Sequence, residues 1–179
     1  MVRVSDGYSG SGGSAEVTAR ITTDKAFGGN IAISGGYSSR TSSGMVILRT
    51  SNAGYAGTSG GLLLSTGTSS RGESGTIQLV TGSAEDGHGG DVLVAVGPGS
   101  AGGGGDIILA AGEAGASEAV GGDILLVAGE GSNRDRYNGG DGGRVQIFGG
   151  AGQGGASGDD GGSIEVAGGF SRQGRGGEI

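Results

Sequence analysis

Three aspartates, Asp91, Asp106 and Asp123, each follow a glycine pair and each precede the same short apolar pattern. Carboxylates repeated at one site on successive copies of a motif repel one another. They are tolerated when solvated, when hydrogen-bonded to backbone amides, or when bridged by a hard cation such as Ca²⁺. The spacing fits two readings: solvated or backbone-capping aspartates, and a weak calcium ladder. Glu85, Asp86, Glu113, Glu118 and Glu130 add further acid to the same part of the chain.

Catalytic chemistry finds little to work with. His88 is the single histidine and there is no cysteine. One imidazole without a thiol or a second histidine makes neither a zinc site nor a nucleophilic triad, so His88 reads as a solvated turn residue. No Gly-x-Ser-x-Gly stretch sits on a strand-to-helix turn. The glycine-rich stretches match phosphate-binding fingerprints by accident, because no helix follows them to supply its N-terminus. The chain is expected not to be an enzyme. Its net charge is −7, and no basic cluster is dense enough to follow a phosphate backbone, so nucleic acid is not an expected partner. Arg172 and Arg175 lie among glycines near the end and read as an ordinary loop. The serine-rich run 38–43 is a polar turn or an acceptor for O-linked sugar. No apolar run approaches the roughly 18 residues of a membrane span, and residues 1–7 do not form a signal peptide.

The elements that carry these residues are set by glycine. It supplies 49 of 179 residues, about fourfold above the usual share. Collagen would require glycine at every third position and abundant proline, but the chain has one proline. Disorder would lack regular apolar spacing, yet here the spacing is regular. The unit is Gly-Gly, a variable residue, apolar, variable, apolar, two further residues and Gly. Its first apolar position falls at Val2, Ala15, Ile31, Val46, Leu62, Ile77, Val92, Ile107, Ile124, Val145, Ile164 and Ile179. These marks lie about 15 residues apart, with longer gaps where loops are inserted. The second apolar position keeps step, from Val4 through Leu79, Val94 and Leu109 to Val166.

Apolar residues two apart share one face of an extended segment, and their β-branched character favours strands. The expected fold is therefore all-β: a parallel β-solenoid of about 12 coils with a roughly 15-residue repeat, glycine-rich return paths and no helix. Residues 1–179 form a single repeat array. The chain enters its first strand at Val2 and stops one residue into its twelfth, without polar caps. It is expected to be a segment of a longer solenoid or to stack head-to-tail into a filament.

The residue between the two apolar marks points to the opposite face. Its middle members are Ile47, Leu63, Leu93, Ile108 and Leu125. This aliphatic row is either an association surface or a face covered by the return path. Four residues after each mark a second column runs through Thr50, Thr66, Thr81, Val96, Ala111 and Ala128. Its threonines form a single file, unlike the two-column Thr-x-Thr lattice that ice-binding solenoids often carry.

In these copies, best seen in 105–112 and 122–129, the chain resembles the glycine-rich parallel β-solenoids of repetitive surface, adhesive and matrix proteins. It is similar also to the Gly-Gly-Asp-Ile-x-Leu-x-x-Gly repeat proteins of algae and microbes. The resemblance covers the whole chain and lies in repeat style. It implies an extracellular or cell-surface location. The calcium-binding nonapeptide roll fits less well, since it needs Gly-Gly-x-Gly-x-Asp, whereas Asp91, Asp106 and Asp123 follow Gly-Gly directly. The expected function is a structural, non-catalytic subunit of an extracellular filament, sheath or adhesive matrix, with other copies of itself as partner. The alternative is a module that binds ice, mineral or polysaccharide through a repetitive face.

Overall fold

The computed structural model describes residues 14–19, 21–23 and 27–179. The first repeat, with its marks Val2 and Val4 and the intervening Arg3, lies outside the described residues. The chain divides into two units, Met1–Gly90 and Asp91–Ile179, and the same repeat recurs in both.

Among the described residues there is no helix, and there is also no β-strand. The second finding overturns the expected all-β parallel solenoid. The period-2 signal itself survives locally. From Ile31 to Ile164 the first marks are 48–62% exposed, whereas Leu63, Leu93, Ile108 and Leu125 between the marks are 82–87% exposed. Such alternation belongs to extended backbone with two faces. Missing is the ladder that would join one apolar segment to the next. No described hydrophobic residue is buried, and the accessible area of the chain is 18431 Å². A globular protein of this mass would expose roughly 7,700 Å².

The shortage of apolar side chains explains the difference. Ordering a residue costs about 1–2 kcal/mol, and glycine loses more backbone freedom than any other residue. Full burial of a Val, Leu or Ile side chain returns about 1.5–3 kcal/mol. One such side chain can therefore hold one or two residues in place. Three of them cannot hold a repeat of about 15 residues that is rich in glycine.

Order is concentrated instead at the mouths of the loops. The glycine two before each mark faces the residue five after the previous mark. In five loops this pair forms a hydrogen bond. Gly44 donates to the Gly36 carbonyl at 2.6 Å, Gly122 to Gly112 at 2.9 Å and Gly143 to Gly129 at 2.9 Å. Gly162 donates to Gly150 and Gly177 to Gly169, each at 2.8 Å. Each bond closes one loop on itself rather than joining successive coils.

The residue four after the mark decides whether the mouth closes. In the five closed loops that position holds Gly35, Ala111, Ala128, Gly149 or Gly168. In the loops that begin after Thr50, Thr66, Thr81 and Val96 the corresponding bond does not form. There the β-branched side chain occupies the gap. A methyl group on Gly75 would stand 3.2 Å from Thr66 Cγ2, and one on Gly105 would stand 3.0 Å from Val96 Cγ1. Where the column residue is glycine the opposite backbone moves into the vacated space. A methyl group on Gly35 would meet the Gly44 carbonyl oxygen at 2.6 Å, and one on Gly149 would collide with the Gly162 carbonyl oxygen. Side-chain volume at one position thus sets whether two backbone segments come within hydrogen-bonding reach.

Two predictions follow from this packing. Ala111→Val should open the mouth of loop 112–122 and speed exchange of the Gly122 amide, whereas Val96→Ala should close loop 97–105 and protect the Gly105 amide. A net backbone hydrogen bond is worth about 0.5–1.5 kcal/mol, so the expected change in protection is roughly 2- to 13-fold. Hydrogen exchange followed by NMR reads both amides, and equal protection in the variants and the parent would refute the volume rule. The second prediction uses neighbouring glycines. Gly105→Ala should loosen loop 97–105 by about 1–3 kcal/mol, while Gly104→Ala, with nothing within 4 Å of its added methyl, should leave it unchanged in limited proteolysis.

Candidate association surface

Asp91, Asp106 and Asp123 are exposed. None of them makes a hydrogen bond or ion pair among the described residues. No group of three or more His, Cys, Asp or Glu side chains close enough to hold a metal ion occurs among the described residues. The structure therefore does not bring these three carboxylates together around a cation site.

Ile47, Leu63, Leu93, Ile108 and Leu125 also lie at the surface. Ile47 is 65% exposed, and the other four are the most open members of their segments. No return path covers them. The threonine column has a different setting. Thr50, Thr66 and Thr81 turn their Cβ and Cγ2 atoms toward Gly60, Gly75 and Gly90. The sequence signal for this contact is the recurrence of a glycine nine or ten residues after each threonine, at the start of the next copy. His88 is exposed in its loop. A shallow depression lined by Arg49, Thr50, Ser51 and Asn52 gathers one cation and three neutral polar side chains. None of those four is a general base at neutral pH.

Side-chain capping gives several loops a defined form. Ser38 Oγ accepts the Thr41 amide at 3.1 Å and the Thr41 hydroxyl at 3.0 Å. The serine-rich run is therefore a side-chain-capped turn. Ser171 Oγ accepts the Gly174 amide at 2.8 Å, which places Arg172 and Arg175 in a loop of the same kind. Asp159 Oδ2 accepts the Ala156 amide at 2.7 Å.

Loop 131–140 is the most heavily knitted. Asn133 Oδ1 accepts the Asp135 amide at 2.9 Å. Asp135 Oδ1 accepts the amides of Tyr137 and Asn138, each at 2.9 Å. The Gly140 amide donates to the Asn133 carbonyl at 2.9 Å. The last two of the side-chain bonds hold one oxygen of the exposed Asp135 carboxylate on the backbone. The amides of Tyr137 and Asn138 hold its pKa below the usual aspartate value of 3.8. Gly139 is required by the same geometry, since a methyl group there would stand 3.0 Å from the Asp135 carbonyl oxygen. Arg134, Arg136 and Tyr137 remain exposed, and the Arg136 guanidinium carbon lies 5.9 Å from the Tyr137 ring centroid, within cation–π range. Sequence inspection finds the longest insertion here, at 130–138 with Glu130 included. The capping that orders it is signalled by the two-residue spacing of Asn133 and Asp135.

No protein-family model, curated protein or solved structure matches this chain.

The backbone-held carboxylate has a pH signature. A depressed pKa means that ionised Asp135 stabilises the ordered loop. That contribution is complete above about pH 3.8 and is lost as pH falls through the lower pKa of the ordered loop. In an NMR titration the Tyr137 and Asn138 amide resonances should move together with a midpoint below 3.8. Asp135→Asn keeps an acceptor oxygen and should abolish the titration, whereas Asp135→Ala should disorder the loop at every pH.

Proposed function

We propose that this protein is a structural, non-catalytic subunit of an extracellular filament, sheath or adhesive matrix, and that its copies associate through the regularly spaced apolar residues of the repeat. The supporting observation is the exposure of the aliphatic side chains at every described copy, with no buried hydrophobic residue among the described residues. Isolated exposed leucines are ordinary, whereas a repeated aliphatic set marks an association surface. A second copy of the chain presents the same residues at the same intervals, so one contact in register brings the others into register. The stabilisation that one repeat cannot supply alone is then supplied between chains.

The non-catalytic reading is supported by the isolation of His88 and by the depression at Arg49, whose lining of one cation and three neutral polar side chains holds no general base. The extracellular reading is supported by the likeness of the Gly-Gly-x-Ile-x-Leu copies to repeats of surface and matrix proteins. Binding to ice through the threonine column is less favoured, because Thr50, Thr66 and Thr81 direct their methyl groups to the glycines of the following copy.

Sedimentation velocity and electron microscopy over a concentration series test the proposal, with and without Ca²⁺. The parent chain should form long assemblies above a threshold concentration. The triple substitution Leu93→Ser, Ile108→Ser, Leu125→Ser should raise that threshold. Each side chain removed forfeits about 1.5–3 kcal/mol of burial, or roughly 10- to 150-fold in the association constant. A chain that stays monomeric at every concentration, or that binds ice or polysaccharide as a monomer, would overturn the proposal.

A further inference from the structure

We infer that loop 131–140 is a preformed cationic contact that docks on the acidic loop 83–89 of a second copy. This inference rests on the association proposed above and names the polar contact that would set its register. Two features single out the loop. It is held in one form by four hydrogen bonds before any partner arrives, so little ordering cost remains at docking. Its one acidic side chain, Asp135, stays ionised but is held by the Tyr137 and Asn138 amides through Oδ1. Arg134 and Arg136 leave residues 131–140 with a net charge of +1 (two arginines less one aspartate) beside an exposed Tyr137, with Glu130 and Asp141 flanking the loop, in a chain whose net charge is −7. Arginine and tyrosine are, with tryptophan, the side chains enriched at contact centres.

The acidic loops of the chain differ in what they can offer such a group. Asp159 turns its carboxylate onto the Ala156 amide, which leaves Asp160 alone. Glu113 and Glu118 stand five residues apart, and Glu118 lies in left-handed backbone at φ 63°. In loop 83–89, Glu85 and Asp86 are adjacent, exposed and engaged by no hydrogen bond or ion pair. Two adjacent free carboxylates match two closely spaced guanidinium groups, which recognise carboxylates through paired N–H donors. The cationic loop belongs to the second unit and the acidic loop to the first. The two loops are different surfaces, so their pairing between copies would be a heterologous contact of the kind able to propagate.

Charge reversal and mixing test the contact in the full-length chain. One variant carries R134E and R136E, and the other carries E85K and D86K. Each alone should need a roughly tenfold higher concentration to assemble, because two attractive pairs become repulsive. An equimolar mixture should regain the parent threshold, since each altered loop meets its complement on the other variant. Arg134→Lys with Arg136→Lys keeps the charge but loses the paired N–H donors, and should fall between the parent and the charge reversal, which separates charge from any general damage to the loop. If both variants assemble like the parent, the docking contact is wrong while association through apolar residues stands. If each is impaired and mixing does not restore assembly, the pairing with loop 83–89 is overturned and the arginines serve another anion. A parent chain that never assembles overturns both readings together.

Discussion

The distance between backbone segments at the loop mouths is the constraint on which the other features depend. It is set by one side chain, four residues after each apolar mark. Glycine or alanine there lets the facing glycine come within hydrogen-bonding distance, as at Ala111 with Gly112 and Gly122. Threonine or valine holds the segments apart through its second Cβ substituent, as at Val96. Glycine at the start of several copies follows from this geometry. At Gly75 and Gly105 the space for a side chain is already taken by the column residue of the preceding copy. The described mouths thus fall into an open set from Thr50 to Val96 and a closed set elsewhere.

Between the mouths little holds the chain. Its apolar residues alternate in exposure as extended backbone dictates, yet none is buried among the described residues. Aliphatic groups at fixed intervals, flanked by glycine with its high conformational entropy, make a poor monomeric core and a good repetitive surface. Association would reduce both costs at once, since a neighbour in register covers the aliphatic groups and orders the backbone that carries them.

The charged loops would add specificity to that surface. Apolar contacts repeated about every 15 residues permit several registers shifted by one copy, and a repeat by itself does not choose among them. The loop at 131–140 occurs once, so a contact through Arg134 and Arg136 would remove the degeneracy. Electrostatic pairing of this kind contributes more to register than to raw affinity. The capping of Asp135 matters here because it fixes the backbone that carries Arg134 and Arg136.

The repeat length, the alternation of faces, the aliphatic row from Ile47 to Leu125 and the turn at Ser38 were all legible in the sequence. Each follows from local rules of spacing and capping that need no knowledge of distant residues. The prediction of a parallel solenoid failed because a period of two says which side chains share a face and is silent on which backbone group lies opposite. In this protein the opposing groups are the glycines across each loop, and the choice among them depends on a side-chain volume such as that of Val96 or Ala111. Likewise Asp91, Asp106 and Asp123 share a place in the repeat, but only the placement of successive copies could have brought their carboxylates together, and it does not. Sequence alone determined the pattern of contacts available to this chain. Tertiary structure decided which were made, because close approach depends on the volume between two segments and that volume is set by residues far apart in the pattern.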